Sequence, residues 1–185
     1  MPYRSSCVFC GSILRDVLSL GLHPHSDFFP RTSKEEVIAY PLALARCTDC
    51  GLYQNDYHLT TSQMFNDDYL YDSSVNTSSR QHWRDFARDV THRVSSRLSE
   101  ERKLRCLDIG SNAGELLLAF SHLHWSVEGI EPSKAPHEIA VSRGIISYNS
   151  QLNTASLQHL KFDKYDAITF TNSFPHIPNP VDTLS

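Results

Sequence analysis

The segment from Leu107 to Phe120 constrains the fold of this chain more than any other. It predicts a short buried strand over residues 105–109, then a tight turn, then a helix that opens near Gly114. Gly110 and Gly114 carry no Cβ, so the backbone can turn sharply there and approach a ligand closely. The free N–H groups of the helix N-terminus point towards whatever lies over the turn. The segment therefore favours a nucleotide-type binding site over a plain strand-to-helix turn.

The turn has the form Asp-x-Gly-x-Asn-x-Gly. It departs from the G-x-G-x-x-G of dinucleotide binding, because an asparagine stands at the second glycine. The form resembles motif I of class I S-adenosylmethionine (SAM) methyltransferases, whose ligand offers a sulfonium and an amino-acid tail instead of a pyrophosphate. The residues that we assign to this cofactor site are Asp108, Gly110, Ser111, Asn112 and Gly114.

A second carboxylate follows the next predicted strand, which covers residues 125–131. Glu131 lies 23 residues after Asp108 (131 − 108), and an acid about 20 residues on can hold a ribose diol by two hydrogen bonds. The alternative is a helix N-terminal acid ahead of Pro132. Glu128 lies inside the strand, where we expect it to face outward. We favour the ribose contact for Glu131.

The segments that follow alternate between helical and strand patterns. Their expected bounds are a helix over 133–143, a strand over 144–148, a short helix over 154–160 and a strand over 167–171. This alternation predicts an α/β fold with a parallel, Rossmann-like sheet. The strands' carboxyl ends would gather the glycine turn, Glu131 and the segment 172–180 at one edge. We assign Asn172 to the cofactor site on this basis.

His176 lies in the same segment, where an imidazole can transfer protons near neutral pH. The alternative is a loop histidine packed between Pro175 and Pro178. Asn179 and Pro180 then indicate the start of another helix. A complete sheet of this class needs about three more strands, so we expect the sheet to be incomplete after its fourth strand.

Five cysteines occur in the chain, and four of them form two matched C-x-x-C-G knuckles. Two such turns can place four thiolates around one ion, the closed tetrahedral form of structural zinc. Cys7, Cys10, Cys47 and Cys50 are therefore the predicted zinc ligands. A redox pair or an iron–sulfur centre fits less well, since a redox C-x-x-C normally occurs singly at a helix start. Cys106 is expected to be a small buried hydrophobe.

The connector between the knuckles and the glycine turn has two parts. Tyr69, Tyr71 and Ser74 belong to a polar, aromatic loop that suits either a ligand-facing segment or packing over a core edge. A helix then starts near Ser78, whose spacing to Gln81 fits a capping box. Its apolar residues recur every three or four positions and predict one buried face; they are Trp83, Phe86, Ala87, Val90, Val94 and Leu98.

Charge and hydropathy exclude several classes of partner. The net charge of −4 and the pI near 6.2 give no general attraction to nucleic acid or anionic membranes. The sequence contains no apolar run of membrane-spanning length and no signal-peptide pattern. We therefore expect a cytoplasmic protein that binds neither nucleic acid nor membrane. The predicted division is a zinc domain over 1–57, a connector over 58–102 and a SAM domain over 103–185.

The ordered set of motifs resembles the deoxysugar C-methyltransferases that carry an N-terminal zinc-binding domain. Besides the knuckles and the glycine turn, the resemblance rests on Tyr-x-Tyr-x-Ser-Ser at 69–74, Gly-Ile-Glu-Pro at 129–132, and Asn172 with His176-Ile177. That family transfers the SAM methyl group to a carbon beside a ketone on a nucleotide-linked deoxysugar, typically a dTDP-sugar. The resemblance implies that Tyr69, Tyr71 and Ser74 shape the substrate cleft. It also matches His176 to an active-site histidine.

The chain departs from this family in four respects. We expect the family's C-terminal domain, which supplies sugar-nucleotide contacts and further base groups, to have no counterpart within these residues. Asp108 stands where the family more often has Glu, and Ala113 where it often has Asp. The stretch 147–153 lacks the family's usual acidic residue near the adenine. Two alternatives from other classes stay open: a non-catalytic remnant that acts as a binding module, and a zinc-ribbon rRNA methyltransferase, against which the acidic net charge argues.

Overall fold

The computed structural model describes residues 3–26, 29–65, 76–98 and 102–184. Tyr69, Tyr71 and Ser74, the predicted cleft residues, lie outside these ranges. The chain divides into two compact units, one made of residues 1–64 with 175–185 and the other of residues 65–174.

The first unit contains a three-stranded antiparallel sheet with the strand order β1-β2-β3. Its strands are β1 (Leu14–Pro24), β2 (Ala39–Cys47) and β3 (Tyr53–Asn55). Two short helices belong to it, α1 (Thr61–Met64) and α6 (Pro180–Leu184). The helix that Asn179 and Pro180 indicated begins at Pro180, as predicted.

The second unit is built on a four-stranded parallel sheet with the order β6-β5-β4-β7. Its strands are β4 (Arg105–Ile109), β5 (Ser126–Ile130), β6 (Ile146–Tyr148) and β7 (Ala167–Thr169). Its helices are α2 (Thr77–Ser95), α3 (Glu115–His122), α4 (Lys134–Ser142) and α5 (Thr154–Leu157). A 3-10 turn spans Phe174–His176, and its last two residues group with the first unit. This architecture confirms the predicted α/β, Rossmann-like fold.

Apolar clusters cover both faces of this sheet. On one face, Cys106 of β4 packs among Leu117 and Phe120 of α3 and the apolar residues of α2, as the periodicity of α2 predicted. Leu98, which was included in that periodic face, is an exception, because the helix ends at Ser95 and Leu98 is exposed. On the other face, Leu107 and Ile130 pack beneath the segment that connects β6 to β7. Since β5 is an interior strand with both faces covered, alternation along it does not separate core from solvent.

Glu128 shows the consequence, because the expectation that it faces outward is wrong. Its side chain is fully buried. Tyr148 Oη and the Lys161 N–H donate to Oε1 at 2.7 and 2.9 Å, and Tyr165 Oη donates to Oε2 at 2.5 Å. Three donors replace the water that burial removes, which is how a carboxylate is tolerated inside a protein.

The start of α2 also differs from the sequence prediction. The N-cap is Asn76, whose Oδ1 accepts a hydrogen bond from the Ser79 N–H at 2.7 Å. Ser78 therefore lies inside the first turn instead of capping it. Asparagine and serine cap helices about equally well, so the capping-box spacing from Ser78 to Gln81 selected the wrong residue. No helix of the described ranges combines the length and the hydrophobicity that crossing a membrane requires.

Candidate cofactor site and metal centre

The turn between β4 and α3 is held against the end of β5. Gly110 and Gly114 adopt left-handed backbone angles, with φ of 75° and 76°, and Asn112 does so with φ of 48°. Asparagine tolerates this region better than other non-glycine residues, which explains how it replaces a glycine here. The N–H groups of Gly110 and Ser111 both donate to the Ile130 carbonyl, at 2.8 and 3.1 Å. The turn is thus fixed to the neighbouring strand.

Glu131 follows β5 directly and connects this turn to the start of α4. Its Oε2 accepts a hydrogen bond from the Asn112 N–H at 2.8 Å, and its Oε1 accepts one from the Ser133 N–H at 2.7 Å. The side chain is only 4% exposed. Burial raises the pKa of Glu131, while the two backbone donors and the Ser133 hydroxyl act in the opposite direction. The carboxylate keeps acceptor capacity beyond these two bonds, since each oxygen has two lone pairs.

Asp108 lies deeper in the sheet than Glu131. It accepts a hydrogen bond from Thr169 Oγ1 of β7 at 2.7 Å and is 1% exposed. Burial raises the pKa of Asp108 to about 7; the Thr169 hydroxyl opposes this rise, and the negative charge of Glu131 adds to it. Asp108 therefore joins β4 to β7 and influences the site electrostatically.

The space beside the turn glycines is taken by protein atoms. A Cβ on Gly110 would lie 2.5 Å from the Ser173 Cβ, and one on Gly114 would lie 3.2 Å from Ala140 Cβ and 3.3 Å from Ile145 Cγ1. Close approach at these two positions is thus made by Ser173 and by the end of α4. The Ser173 hydroxyl also donates to the carbonyl of Ile109.

Gly129 is a site residue that the sequence reasoning missed. A Cβ there would lie 2.4 Å from Ser111 Oγ, 2.7 Å from Ser111 Cβ and 2.8 Å from Leu117 Cδ1. The glycine turn can therefore pack against β5 only because Gly129 has no side chain. A glycine inside a strand pattern signals such close approach, and that signal was available in the sequence.

A buried hydroxyl tests whether this region fits a polar ligand. Ser111 Oγ is buried and has no hydrogen-bond partner within the described ranges. Buried polar groups are normally paired, so this atom has unused hydrogen-bonding capacity. Together with the Glu131 carboxylate and the N-terminus of α3, it fits a nucleoside that carries a polar tail.

Asn172 and His176 follow β7. Asn172 adopts φ of 62° three residues beyond the carboxyl end of this strand. His176 ends the 3-10 turn and groups with the first unit. Desolvation lowers the pKa of His176, and the charge of His25 lowers it further. A role for either residue in a site of the second unit stays a prediction.

The four knuckle cysteines come together in the first unit. Their Sγ atoms all lie within 4.8 Å of one another. Across the two knuckles, Cys7 Sγ lies 3.7 Å from Cys50 Sγ and Cys10 Sγ lies 3.4 Å from Cys47 Sγ. A tetrahedral zinc ion with Zn–S bonds of about 2.3 Å separates its sulfurs by about 3.8 Å. The spacing therefore fits one zinc ion.

Each knuckle has the backbone geometry that such a site needs. The N–H groups of Phe9 and Asp49 point to Cys7 Sγ and Cys47 Sγ, both at 3.4 Å. The glycines after the second cysteines, Gly11 and Gly51, have φ of 75° and 78°, where side chains are disfavoured. Four protein thiolates leave no open coordination position, so this centre is structural in type.

Several solved structures are similar to part of the chain. They include the plantazolicin methyltransferase BpumL in complex with SAH, at 17% identity and a TM-score of 0.38, over 60% of this chain and 48% of that chain. SAM-bound CalS10, an amino pentose methyltransferase from Micromonospora echinaspora, matches at 25% identity and a TM-score of 0.40, over 57% and 44%. Magnesium protoporphyrin IX methyltransferase (ChlM) from Synechocystis PCC 6803 matches at 17% identity and a TM-score of 0.41, over 58% and 54%. The chain thus spans about half the length of these proteins.

Two protein families match the sequence. Residues 7–65 match the family described as "Putative zinc binding domain", and this segment contains all four knuckle cysteines. Residues 80–185 match the family described as "Methyltransferase domain", and this segment contains the parallel sheet and its glycine turn. A search of curated proteins found no match. Since the second match covers more than half of the chain, the chain belongs to the methyltransferase domain family.

Proposed function

We propose that this chain is a SAM-dependent C-methyltransferase, or the corresponding part of one, that acts on a nucleotide-linked keto-deoxysugar of the dTDP type. The observation that carries the cofactor assignment is the position of the Glu131 carboxylate. It lies at the carboxyl end of β5, bonded to the N–H of Asn112 in the glycine turn. Parallel α/β sheets bind their ligands at this edge.

In this proposal, Glu131 holds the ribose hydroxyls and the turn from Gly110 to Gly114 faces the amino-acid tail at the N-terminus of α3. Ser111 and Asn172 complete the contacts, and Asp108 supports the turn from below. When bound there, SAM supplies an activated methyl group on its sulfonium. The protein then has to align the acceptor carbon with that methyl and exclude water.

The zinc centre supports the choice of sugar as substrate. A closed four-cysteine site contributes folding energy and no chemistry. A zinc-binding match over residues 7–65 precedes a methyltransferase match over residues 80–185, and this order resembles that of the deoxysugar C-methyltransferases. We keep the predicted division into a zinc domain over 1–57, a connector over 58–102 and a SAM domain over 103–185. Tyr69, Tyr71 and Ser74 of the connector are proposed to contact the sugar.

His176 is the proposed base. A carbon beside a ketone becomes nucleophilic when it loses a proton, and the electron pair is then shared with the ketone oxygen. The lowered pKa of His176 favours its neutral form near pH 7, which is the form that accepts a proton. The carbon would then form its new bond to the methyl group as the methyl–sulfur bond breaks; the sulfur keeps that electron pair, and S-adenosylhomocysteine is the leaving group. The proton stays on the imidazole until solvent removes it.

The proposal is tested by two readouts on a dTDP-linked keto-deoxysugar. The zinc-loaded chain should transfer radiolabelled methyl from SAM to the sugar, and should exchange the hydrogen beside the ketone with deuterium from solvent. His176→Gln should abolish both, whereas His159→Gln, at an exposed histidine after α5, should abolish neither. Methyl transfer to ribosomal RNA with none to the sugar would contradict the proposal.

A further inference from the structure

The side chain of Asn149 clamps the backbone that carries Glu131. Asn149 follows β6 directly, and its Nδ2 donates to two consecutive carbonyls, those of Glu131 and Pro132, both at 3.0 Å. One amide group thus uses both of its N–H donors on adjacent peptide units. The chain between β5 and α4 is held from the β6 side by these two bonds.

These bonds act on the direction of the Glu131 side chain. The carboxylate is fixed at its tip by the N–H groups of Asn112 and Ser133. The Ser133 N–H belongs to the peptide unit whose carbonyl, that of Pro132, accepts from Asn149. If this peptide unit rotates, its N–H turns away from Oε1 of Glu131. Asn149 therefore holds one of the two donors that orient the carboxylate.

Asn149 itself stands on a rigid base. The Glu131 N–H donates to the Tyr148 carbonyl at 3.0 Å, which continues the pairing of β5 and β6 by one residue. Tyr148 Oη donates to the buried Glu128, which also accepts from the Tyr165 hydroxyl and the Lys161 N–H. Both ends of the β6–β7 connection are thereby tied to the sheet. A side chain mounted on such a base can hold a neighbour in one geometry.

We propose that Asn149 is a positioning residue for nucleoside recognition: it fixes the Glu131 carboxylate in the direction that accepts two ribose hydroxyls, and it acts through Glu131 without touching the ligand. This inference rests on the proposed role of Glu131. Two hydrogen bonds to a diol need a carboxylate set within a few tenths of an ångström and a few tens of degrees, and a carboxylate free to rotate loses part of that affinity.

The test is a double-mutant cycle measured by calorimetry with S-adenosylhomocysteine. Asn149→Ala should weaken binding about tenfold, a coupling typical of residues in one hydrogen-bond network. In a Glu131→Ala background, the same substitution should have almost no further effect. Asn149→Asp, which keeps the shape but removes the donors, should weaken binding at least as much. Gln151→Ala, at an exposed position of the same connection, is the matched control and should bind like the wild type.

A second ligand separates positioning from general damage to the fold. An analogue of S-adenosylhomocysteine without the two ribose hydroxyls should bind the wild type and Asn149→Ala with similar affinity. Equal losses from Asn149→Ala in both backgrounds, or for both ligands, would overturn the inference. Glu131→Ala without effect on S-adenosylhomocysteine binding would overturn the proposed function together with it, whereas additive losses would overturn the role of Asn149 alone.

Discussion

The backbone N–H of Asn112 donates to Oε2 of Glu131 across 2.8 Å. This bond joins two turns that follow adjacent parallel strands, β4 and β5. Neither turn reaches its geometry independently, because Glu131 also takes the Ser133 N–H at the start of α4. The candidate cofactor site is therefore one connected hydrogen-bond network, in which a substitution in the turn after β4 also alters the geometry of the turn after β5.

Gly129→Ala should destabilise the second unit, because the added Cβ would collide with Ser111 and Leu117. Overpacking of this kind costs about 1–3 kcal/mol, measurable as a lower free energy of unfolding in urea. Adding Ser111→Gly removes the atoms at 2.4 and 2.7 Å and should recover part of the loss. Wild-type stability for the single variant would contradict the tight packing of the turn on β5.

Glu128→Ala should lower the free energy of unfolding by about 3 kcal/mol, because three part-buried donors lose their acceptor. Glu138→Ala is the matched control, since Glu138 is exposed and its contact with Lys134 spans 3.9 Å. That variant should stay within about 0.5 kcal/mol of the wild type. Equal small losses for both variants would show that the buried hydrogen bonds around Glu128 contribute no stability.

Asp108→Asn should change how stability depends on pH. The pKa of Asp108 rises from 3.8 to about 7 on folding, so the folded state binds its proton more tightly than the unfolded state. Protonated Asp108 therefore stabilises the folded state in full below about pH 4. As the pH rises towards 7 this stabilisation is lost, and the free energy of unfolding falls by roughly 4 kcal/mol in total. Asparagine keeps the acceptor for Thr169 without titrating. The difference in unfolding free energy between variant and wild type should therefore shift in favour of the variant across this range.

Removing any knuckle cysteine should abolish metal binding by the first unit. Metal analysis of the purified chain should give about one zinc ion per chain, and Cys47→Ser should lose it, because three thiolates bind zinc far more weakly than four. Cys106→Ala is the control. Because Cys106 is buried in the second unit, the zinc content of this variant should equal that of the wild type. A folded wild-type sample with well under one zinc per chain would refute the assignment of this centre.

The backbone of the candidate site could be predicted from the sequence. Glycines at 110 and 114 can adopt the angles of a tight turn, and the apolar run after them indicates a helix. Glu131 could be placed at the end of a strand because the run before it is short and apolar. The four knuckle cysteines could be grouped because their spacing alone suits one ion.

The failures come from contacts between segments that are distant in sequence. Burial of Glu128 depends on Tyr148, Lys161 and Tyr165, and no local pattern shows that these residues converge on one carboxylate. The packing role of Gly129 depends on Ser111 across the strand pair. Local periodicity reports which residues share a face of an element, whereas tertiary packing decides what covers that face.

The measurement that tests the central claim most directly is calorimetric binding of S-adenosylhomocysteine to the zinc-loaded chain, with Glu131→Ala and Glu138→Ala as a matched pair. We expect the wild type and Glu138→Ala to bind alike, and Glu131→Ala to bind about tenfold or more weakly, because it loses the acceptor for the ribose hydroxyls. Absence of binding by the folded wild type, or unchanged binding by Glu131→Ala, would contradict the assignment of the cofactor site.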